Sequence, residues 1–326
     1  MRPVLFDFET DAPLLGSLNL PSYVTFLALS FAVGMWMTWR AAPAAGMDRE
    51  RVLDLDLAMV VWGIVGARIL HVVAEGHFME YVNLCVDPAR IAATQAKVAS
   101  CAASSECGFD YLCDAATGRC HPPRDCLAVL KIWQGGLAFY GGFIVASVFG
   151  LRYARKHGLG MGRMADLAAP WIAFGLAVTR MGCFLNGCCY GKVAGHAFCV
   201  RFPFASAPRR AQLASQIISG NQPALPIHPT QLYLAALNLA MFFALYYLAR
   251  PRKRFHGEVF LWLLLMKGVA RSFVEIWRDD ERGVLWGWLS TSQILSIPLV
   301  AAAALLLVIS SSRARGRGPR SPRRPP

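Results

Sequence analysis

The chain has 326 residues, 56% of them hydrophobic and only 16% charged, with a mean hydropathy of +0.41. This balance excludes a disordered chain and points to a polytopic membrane protein. The formal charge of +13 would suggest nucleic acid in a soluble protein. Here the basic residues fall between apolar runs, where they report membrane orientation, and no nucleic-acid partner is expected.

Met1 to Asp11 carries Asp7, Glu9 and Asp11 against Arg2. That is the wrong charge for the leading region of a cleaved secretion signal, so the first apolar run is expected to stay as an anchor. Seven runs can span a bilayer: Ser22–Thr38, Leu57–Ala74, Trp133–Leu151, Met164–Phe184, Thr230–Leu248, Glu258–Trp277 and Thr291–Ile309. The predicted fold class is an all-α polytopic membrane protein of about seven transmembrane helices. One set of short connections holds Arg40, Arg49 and Arg51; Arg152, Arg155, Lys156 and Arg163; Arg250, Arg252, Lys253 and Arg254; and the arginines after Ser312. The other connections are longer and sparser in basic residues, which puts the C-terminus in the cytoplasm and the N-terminus outside. The chain then divides into an N-terminal arm with two spans (1–74), a Cys-rich external insert (75–132), a five-span core (133–309) with an external loop (185–229), and a basic disordered tail (310–326). The tail suits anionic headgroups, or is a plain solvated flank.

Cys85, Cys101, Cys107, Cys113, Cys120 and Cys126 all fall in the insert. Six cysteines in a short polar module on the external side are expected to pair as disulfides in an oxidising compartment. The rival is a zinc module, with His121 beside the cysteines and no C-x-x-C pair. Of the fifteen possible connectivities, sequence selects none. Cys183, Cys188, Cys189 and Cys199 follow in and after the fourth run; disulfides stapling this loop are the plain expectation and redox work the sharper one. No metal site and no cofactor is expected.

Arg68, Arg180, Lys267 and Arg271 lie inside predicted spans, with one acid, Glu275. Placing a guanidinium there costs about 2.5–3.5 kcal/mol on insertion scales, so it needs a buried partner or a polar cavity. Lys267, Arg271 and Glu275 follow i, i+4, i+8 spacing and share one helix face, and Glu275 neutralises one cation at most. Side chains near the boundary can snorkel to the headgroups. The functional alternative is a cavity that binds an anion, with arginine forks suited to phosphate. At the outer leaflet the abundant phosphate is a phospholipid headgroup. In the third run, the glycines of Gly135-Gly136-Leu137-Ala138-Phe139-Tyr140-Gly141-Gly142 either let helices approach closely or leave room for a ligand. Tyr140 reads as an interfacial tyrosine or a site residue. His228-Pro229-Thr230-Gln231-Leu232-Tyr233 opens the fifth run, as ordinary capping or as part of the same site.

Together these segments resemble prolipoprotein diacylglyceryl transferase, the bacterial inner-membrane enzyme that begins lipoprotein maturation. The resemblance rests on Gly66-Ala67-Arg68, the Gly-rich 135–142 segment, Arg180-Met181-Gly182-Cys183-Phe184-Leu185-Asn186-Gly187 through Gly191, the 228–233 segment, and Arg271 to Glu275. It implies transfer of a diacylglyceryl group from phosphatidylglycerol to the lipobox cysteine thiol in the signal-peptide region of a preprolipoprotein. It also implies an inner-membrane location with a periplasmic N-terminus and insert. By motif position, Arg180 and Arg271 hold the phosphate, with Arg68, Asn186, Gly191, His228, Gln231, Tyr233, Lys267 and Glu275 as substrate-binding or supporting residues. Three positions depart from the family pattern. Tyr140 replaces a histidine proposed as base, Cys183 replaces an asparagine, and Lys267 replaces a tyrosine. A phenol titrates near 10 in water, so a tyrosine base needs positive charge beside it. A redox protein, or a non-catalytic relative that binds lipid or lipoprotein, are the other functions the residues allow.

Overall fold

Backbone inside a bilayer can hydrogen-bond only to itself, so long apolar runs become helices; the described residues are mostly helical. The computed structural model describes residues 4–9, 17–74, 76–91, 101, 103–107, 112–114, 118–131, 136–204, 206–278, 284–285 and 289–316. The order begins with a hairpin of β1 (Val4–Glu9) and β2 (Ser17–Pro21), then α1 (Ser22–Ala41) and α2 (Arg49–Ala74). The insert holds α3 (Phe78–Val86), α4 (Ser104–Cys107) and a second hairpin, β3 (Leu112–Asp114) with β4 (Arg119–His121). There follow α5 (Phe139–Lys156), α6 (Met161–Asn186), α7 (Ala207–Ala214) and α8 (Thr230–Phe243). The last of these widens into a π-helical stretch at Ala244–Ala249 and ends in α9 (Arg250–Arg252). The chain closes with α10 (Glu258–Glu275), a short hairpin of β5 (Val284–Leu285) and β6 (Leu289–Ser290), and α11 (Thr291–Gly316).

Each predicted span coincides with a helix. Among the described residues, four helices are long and apolar enough to cross a membrane by length and composition: Ser22–Ala41, Arg49–Val73, Met161–Asn186 and Thr230–Arg252. Their outer surfaces carry exposed Val61, Ile69, Val73 and Tyr247, large apolar side chains that water would not favour. Two boundaries differ from expectation. The third run was expected from Trp133, but its helix starts at Phe139, because Gly136 takes a left-handed φ of 73° that a helix cannot contain; Trp133 to Gly135 lie outside the described residues. The tail was expected to be disordered from 310, yet α11 runs on to Gly316. There the Ser311 and Ser312 hydroxyls bond back to the Val308 and Ile309 carbonyls. Residues 317–326 lie outside the described residues.

The chain forms two compact units, 1–53 with 159–326, and 54–158. In the first, α1 and α6 meet where Gly182 has no side chain: a Cβ there would stand 2.7 Å from Phe26 Cβ. Ser30 Oγ and Thr179 Oγ1 share a 3.0 Å hydrogen bond across the same seam. Ala169, Ala173, Met241, Leu245, Val259, Leu263 and Ala270 form the core between α6, α8 and α10. At one end of this bundle, buried Asp166 accepts from the amides of Gly257 (2.9 Å), Val259 (2.9 Å) and Phe260 (3.3 Å) and pairs with Lys253 at 3.3 Å. It thereby caps α10 from a different helix and satisfies amides that a helix start leaves open.

In the second unit, the Gly-rich segment packs α5 against α2. A Cβ on Gly66 would lie 2.5 Å from the Gly141 carbonyl oxygen, and one on Gly142 2.7 Å from that of Gly63. At Gly141 and Gly142, of the two uses offered, the structure takes close helix approach. The insert is stapled as Cys85–Cys126, Cys101–Cys113 and Cys107–Cys120. With all six sulfurs in disulfides, none is left as a thiolate for zinc.

Candidate active site

Arg180 stands on the last two turns of α6. The sequence Asn186-Gly187 ends that helix in a Schellman turn: Gly187 adopts φ 75°, its amide bonds to the Phe184 carbonyl at 3.2 Å, and the Cys188 amide bonds to the Cys183 carbonyl at 3.1 Å. The turn folds Cys188 back over Cys183. Cys189 then takes a φ of 62°, rare for a residue with a side chain, and α8 holds it there. Thr230 Oγ1 donates to the Cys189 carbonyl at 2.8 Å, and Gln231 Nε2 to the Cys188 carbonyl at 2.7 Å. Thr230 and Gln231 are fully buried, so the polar start of α8 reads the backbone of the loop after α6.

The loop continues to Gly191, whose amide donates to the His228 carbonyl at 3.0 Å, while the Lys192 amide donates to the Trp277 carbonyl at 2.8 Å and Gly191 bridges Arg278. A Cβ at 191 would stand 2.5 Å from the Trp277 oxygen and 2.8 Å from both His228 Cβ and Thr230 Cγ2. Only glycine fits. His228 Nδ1 lies 3.2 Å from the Tyr233 hydroxyl. Burial holds the His228 imidazole below its ordinary pKa, and the neighbouring His196 adds to this, so the ring is neutral at pH 7.

On α10, Lys267 Nζ donates to Asn238 Oδ1 of α8 at 2.9 Å, and its charge is close enough to Arg180 for the two to repel. One turn on, Arg271 pairs with Glu275 at 3.0 Å, both mostly buried. Arg278 is also buried and acts with Arg180 on Cys189. Arg180, Lys267, Arg271 and Arg278 thus share one unit with Glu275. Asp166 and Glu258 are committed near the start of α10, to helix amides and Lys253 and to Arg254. Asp166 lies fourteen residues before Arg180 on α6, a separation of about 21 Å at 1.5 Å per residue.

Not every expected residue has its expected surroundings. Arg68 donates from Nε to the Val129 carbonyl (2.7 Å) and from its terminal nitrogens to those of Gly136 (2.9 Å) and Ala128 (2.6 Å), with its guanidinium 5.0 Å from the Tyr81 ring. The fork that was expected to meet a phosphate instead closes the base of the insert. Tyr140 is in the same unit, 54–158, at the exposed N-terminal turn of α5. Cys183, Cys188, Cys189 and Cys199, expected as disulfides, are free thiols. The first three converge on a single point, with all sulfurs within 4.8 Å of one another, instead of facing one partner each. Asn186 bonds to the Cys188 side chain. Sequence reasoning missed Asn238, Arg278 and Tyr23. Asn238 was legible as a second polar residue seven positions after Gln231 on the same helix face, and Arg278 as the next step of the 267, 271, 275 ladder. Tyr23, at the start of α1, lies within electrostatic range of Arg180 and the three thiols, and nothing in its local sequence marks it.

A family model described as prolipoprotein diacylglyceryl transferase matches residues 12–100 and 110–309. A protein of Geobacillus kaustophilus is 29% identical over 303 residues, covering 93% of this chain and 92% of its own. One from Vibrio atlanticus is 29% identical over 305 residues, covering 92% and 89%. One from Psychrobacter arcticus is 28% identical over 321 residues, covering 94% of each. All three carry the name phosphatidylglycerol–prolipoprotein diacylglyceryl transferase.

Proposed function

The chain belongs to the prolipoprotein diacylglyceryl transferase family, and from that premise we propose how its residues divide the work of moving a diacylglyceryl group from phosphatidylglycerol to a prolipoprotein. The acceptor is the lipobox cysteine thiol in the signal-peptide region. Its sulfur bonds to the glycerol carbon as that carbon's bond to the phosphate oxygen breaks, and the electron pair leaves on the phosphate. Catalysis then requires cations on the leaving group and an acceptor for the thiol proton.

Arg180 and Arg271 hold the phosphate, with Lys267 adding charge beside Arg180. The observations that carry this reading are that Lys267 lies within electrostatic range of Arg180, that Arg180 and Arg278 both act on Cys189, and that Arg271 with its partner Glu275 follows one turn after Lys267 on α10, while Asp166 and Glu258 are engaged elsewhere. Glu275 holds one side of Arg271 and leaves the rest of its fork for phosphate. Asn186, Gly191, Gln231 and Tyr233 fix the loop and helix ends that carry these groups. For the proton, a neutral His228 in the same unit is suited to accept; Tyr140, which stands where the family has histidine, is the other candidate.

The surrounding architecture is read as seven crossings of the bacterial inner membrane. The N-terminus and insert are periplasmic and the C-terminus cytoplasmic. The apolar exposed helices and the disulfide-bonded insert support this topology. The test is lipidation of a reporter prolipoprotein in phosphatidylglycerol vesicles. Arg180→Ala and Arg271→Ala should each lower turnover by about 100-fold or more, the range for losing one preorganised charge donor; full activity in both would remove the proposal. His228→Gln, Tyr140→Phe and Tyr140→His in the same assay separate the two proton acceptors.

A further inference from the structure

Cys183, Cys188 and Cys189 are not used by the reaction above, and their arrangement is specific. The Schellman turn sets Cys188 over Cys183, with Cys188 Sγ 3.7 Å from the Cys183 carbonyl oxygen. Cys189 reaches the same point only through its left-handed backbone, φ 62°. That conformation costs about 1–2 kcal/mol for a residue with a Cβ, and buried Thr230 and Gln231 hold the two carbonyls in place. The result is three sulfurs mutually within 4.8 Å, one buried and two half-buried.

From this geometry we propose that Cys183, Cys188 and Cys189 form a binding site for a single thiophilic d10 metal ion, copper(I) or zinc(II). Metal–sulfur bonds of about 2.3 Å place three ligating sulfurs about 3.8–4.0 Å apart, so the cluster needs to close by less than about 1 Å. Soft thiolates select these ions over harder cations. Charge agrees. Three thiolates around copper(I) carry −2, and around zinc(II) −1, while Arg180 and Arg278 supply positive charge at Cys189 and Arg180 also at Cys183. Binding displaces the thiol protons to solvent. Under the topology proposed above, this turn faces the oxidising side that holds the three disulfides. A bound metal would keep three adjacent thiols there from pairing. It would also lock the end of α6 one turn beyond Arg180.

The experiment uses full-length protein in lipid nanodiscs, prepared without oxygen and titrated separately with copper(I) and zinc(II) against a chromophoric competitor. The expected result is one equivalent of at least one of these ions, with X-ray absorption showing a sulfur shell at about 2.3 Å. Cys188→Ser and Cys189→Ser should weaken binding by more than about 100-fold, beyond what loss of a supporting residue does. Cys199→Ser, which removes the remaining free thiol, should leave it unchanged. The absorption spectrum of the unaltered protein decides the matter even where a serine variant fails to fold. Three results would overturn the proposal: wild type that retains neither ion, metal retained with all three cysteines replaced, or a disulfide among the three found by peptide mapping of unreduced protein. None of these readings depends on lipidation activity.

Discussion

Gly191→Ala offers the sharpest test of how the site is built. The added Cβ would stand 2.5 Å from the Trp277 carbonyl oxygen, where an ordinary carbon–oxygen contact is about 3.3 Å, so one side must move by about 0.8 Å. It would also stand 2.8 Å from His228 Cβ and Thr230 Cγ2, against an ordinary carbon contact of about 3.5 Å or more. None of the three neighbours yields easily. The Trp277 carbonyl accepts the Lys192 amide, the His228 carbonyl accepts the Gly191 amide, and Thr230 is fully buried. Overpacking of this kind costs about 1–3 kcal/mol, too little to unfold a bundle of this size. A displacement approaching 1 Å among groups that position a substrate costs about 100-fold in rate. The variant is therefore expected to remain monodisperse, with a modestly lower unfolding midpoint, and to lose about 100-fold in kcat/KM for lipidation of a reporter prolipoprotein. Wild-type kcat/KM in a folded variant would refute the claim that this three-way contact sets the site.

Arg68→Met should destabilise the protein by about 3–5 kcal/mol, because it orphans the Val129, Gly136 and Ala128 carbonyls; a change only in KM for phosphatidylglycerol, with unaltered thermal unfolding, would instead restore the phosphate role. Asp166→Ala strips the acceptor from three amides at the start of α10 and should cost about 2–5 kcal/mol in reversible unfolding in mixed micelles. Asp166→Asn, which keeps an acceptor oxygen, should recover part of that; equal stability of all three forms would be the contrary result. Because the folded pKa of Cys189 is depressed, its thiolate persists as pH falls through the ordinary thiol range. Iodoacetamide should then alkylate Cys189 in metal-free protein with a pH dependence displaced below that of an ordinary thiol, which slows about tenfold per unit under the same conditions. A rate that falls like that of a free thiol, read by peptide mass spectrometry, would contradict it.

What sequence made legible was whatever depends on near neighbours. The Arg271–Glu275 pair follows from i, i+4 spacing, and the end of α6 follows from Asn186-Gly187. Long-range partners were hidden. The acceptors of Arg68 are main-chain oxygens sixty or more positions away, and a carbonyl looks the same in every sequence. The insert shows the same limit: β3 and β4 set Cys113 opposite Cys120 in register, yet Cys113 bonds Cys101 and Cys120 bonds Cys107. For Cys183, Cys188 and Cys189, the reading as disulfides failed because counting pairs cannot show that a helix cap and one left-handed residue bring three sulfurs to a point.

The placement of charge in this unit follows from backbone more than from ion pairing. Arg180 lies one turn before Cys183, whose carbonyl takes the Cys188 amide; the Cys188 and Cys189 carbonyls are held from α8; and the same loop is pinned through Gly191 and Lys192 to the segments carrying His228 and Trp277. The first of these bonds closes the end of α6 itself, and the others tie the loop that follows it to the start of α8 and to the segment after α10. A cation on one helix therefore cannot drift from a cation on the next without breaking main-chain hydrogen bonds, each worth about 0.5–1.5 kcal/mol net and more when its loss leaves a buried group open. Glu275 can offset only part of the repulsion between Lys267 and Arg180, so the fold holds the basic groups together against their own field. A site preorganised in this way gains most from a multiply charged anion, and gains further as negative charge builds on a departing phosphate oxygen. Lys267 has a neutral partner for its amine: fully buried Asn238 accepts its hydrogen bond at 2.9 Å.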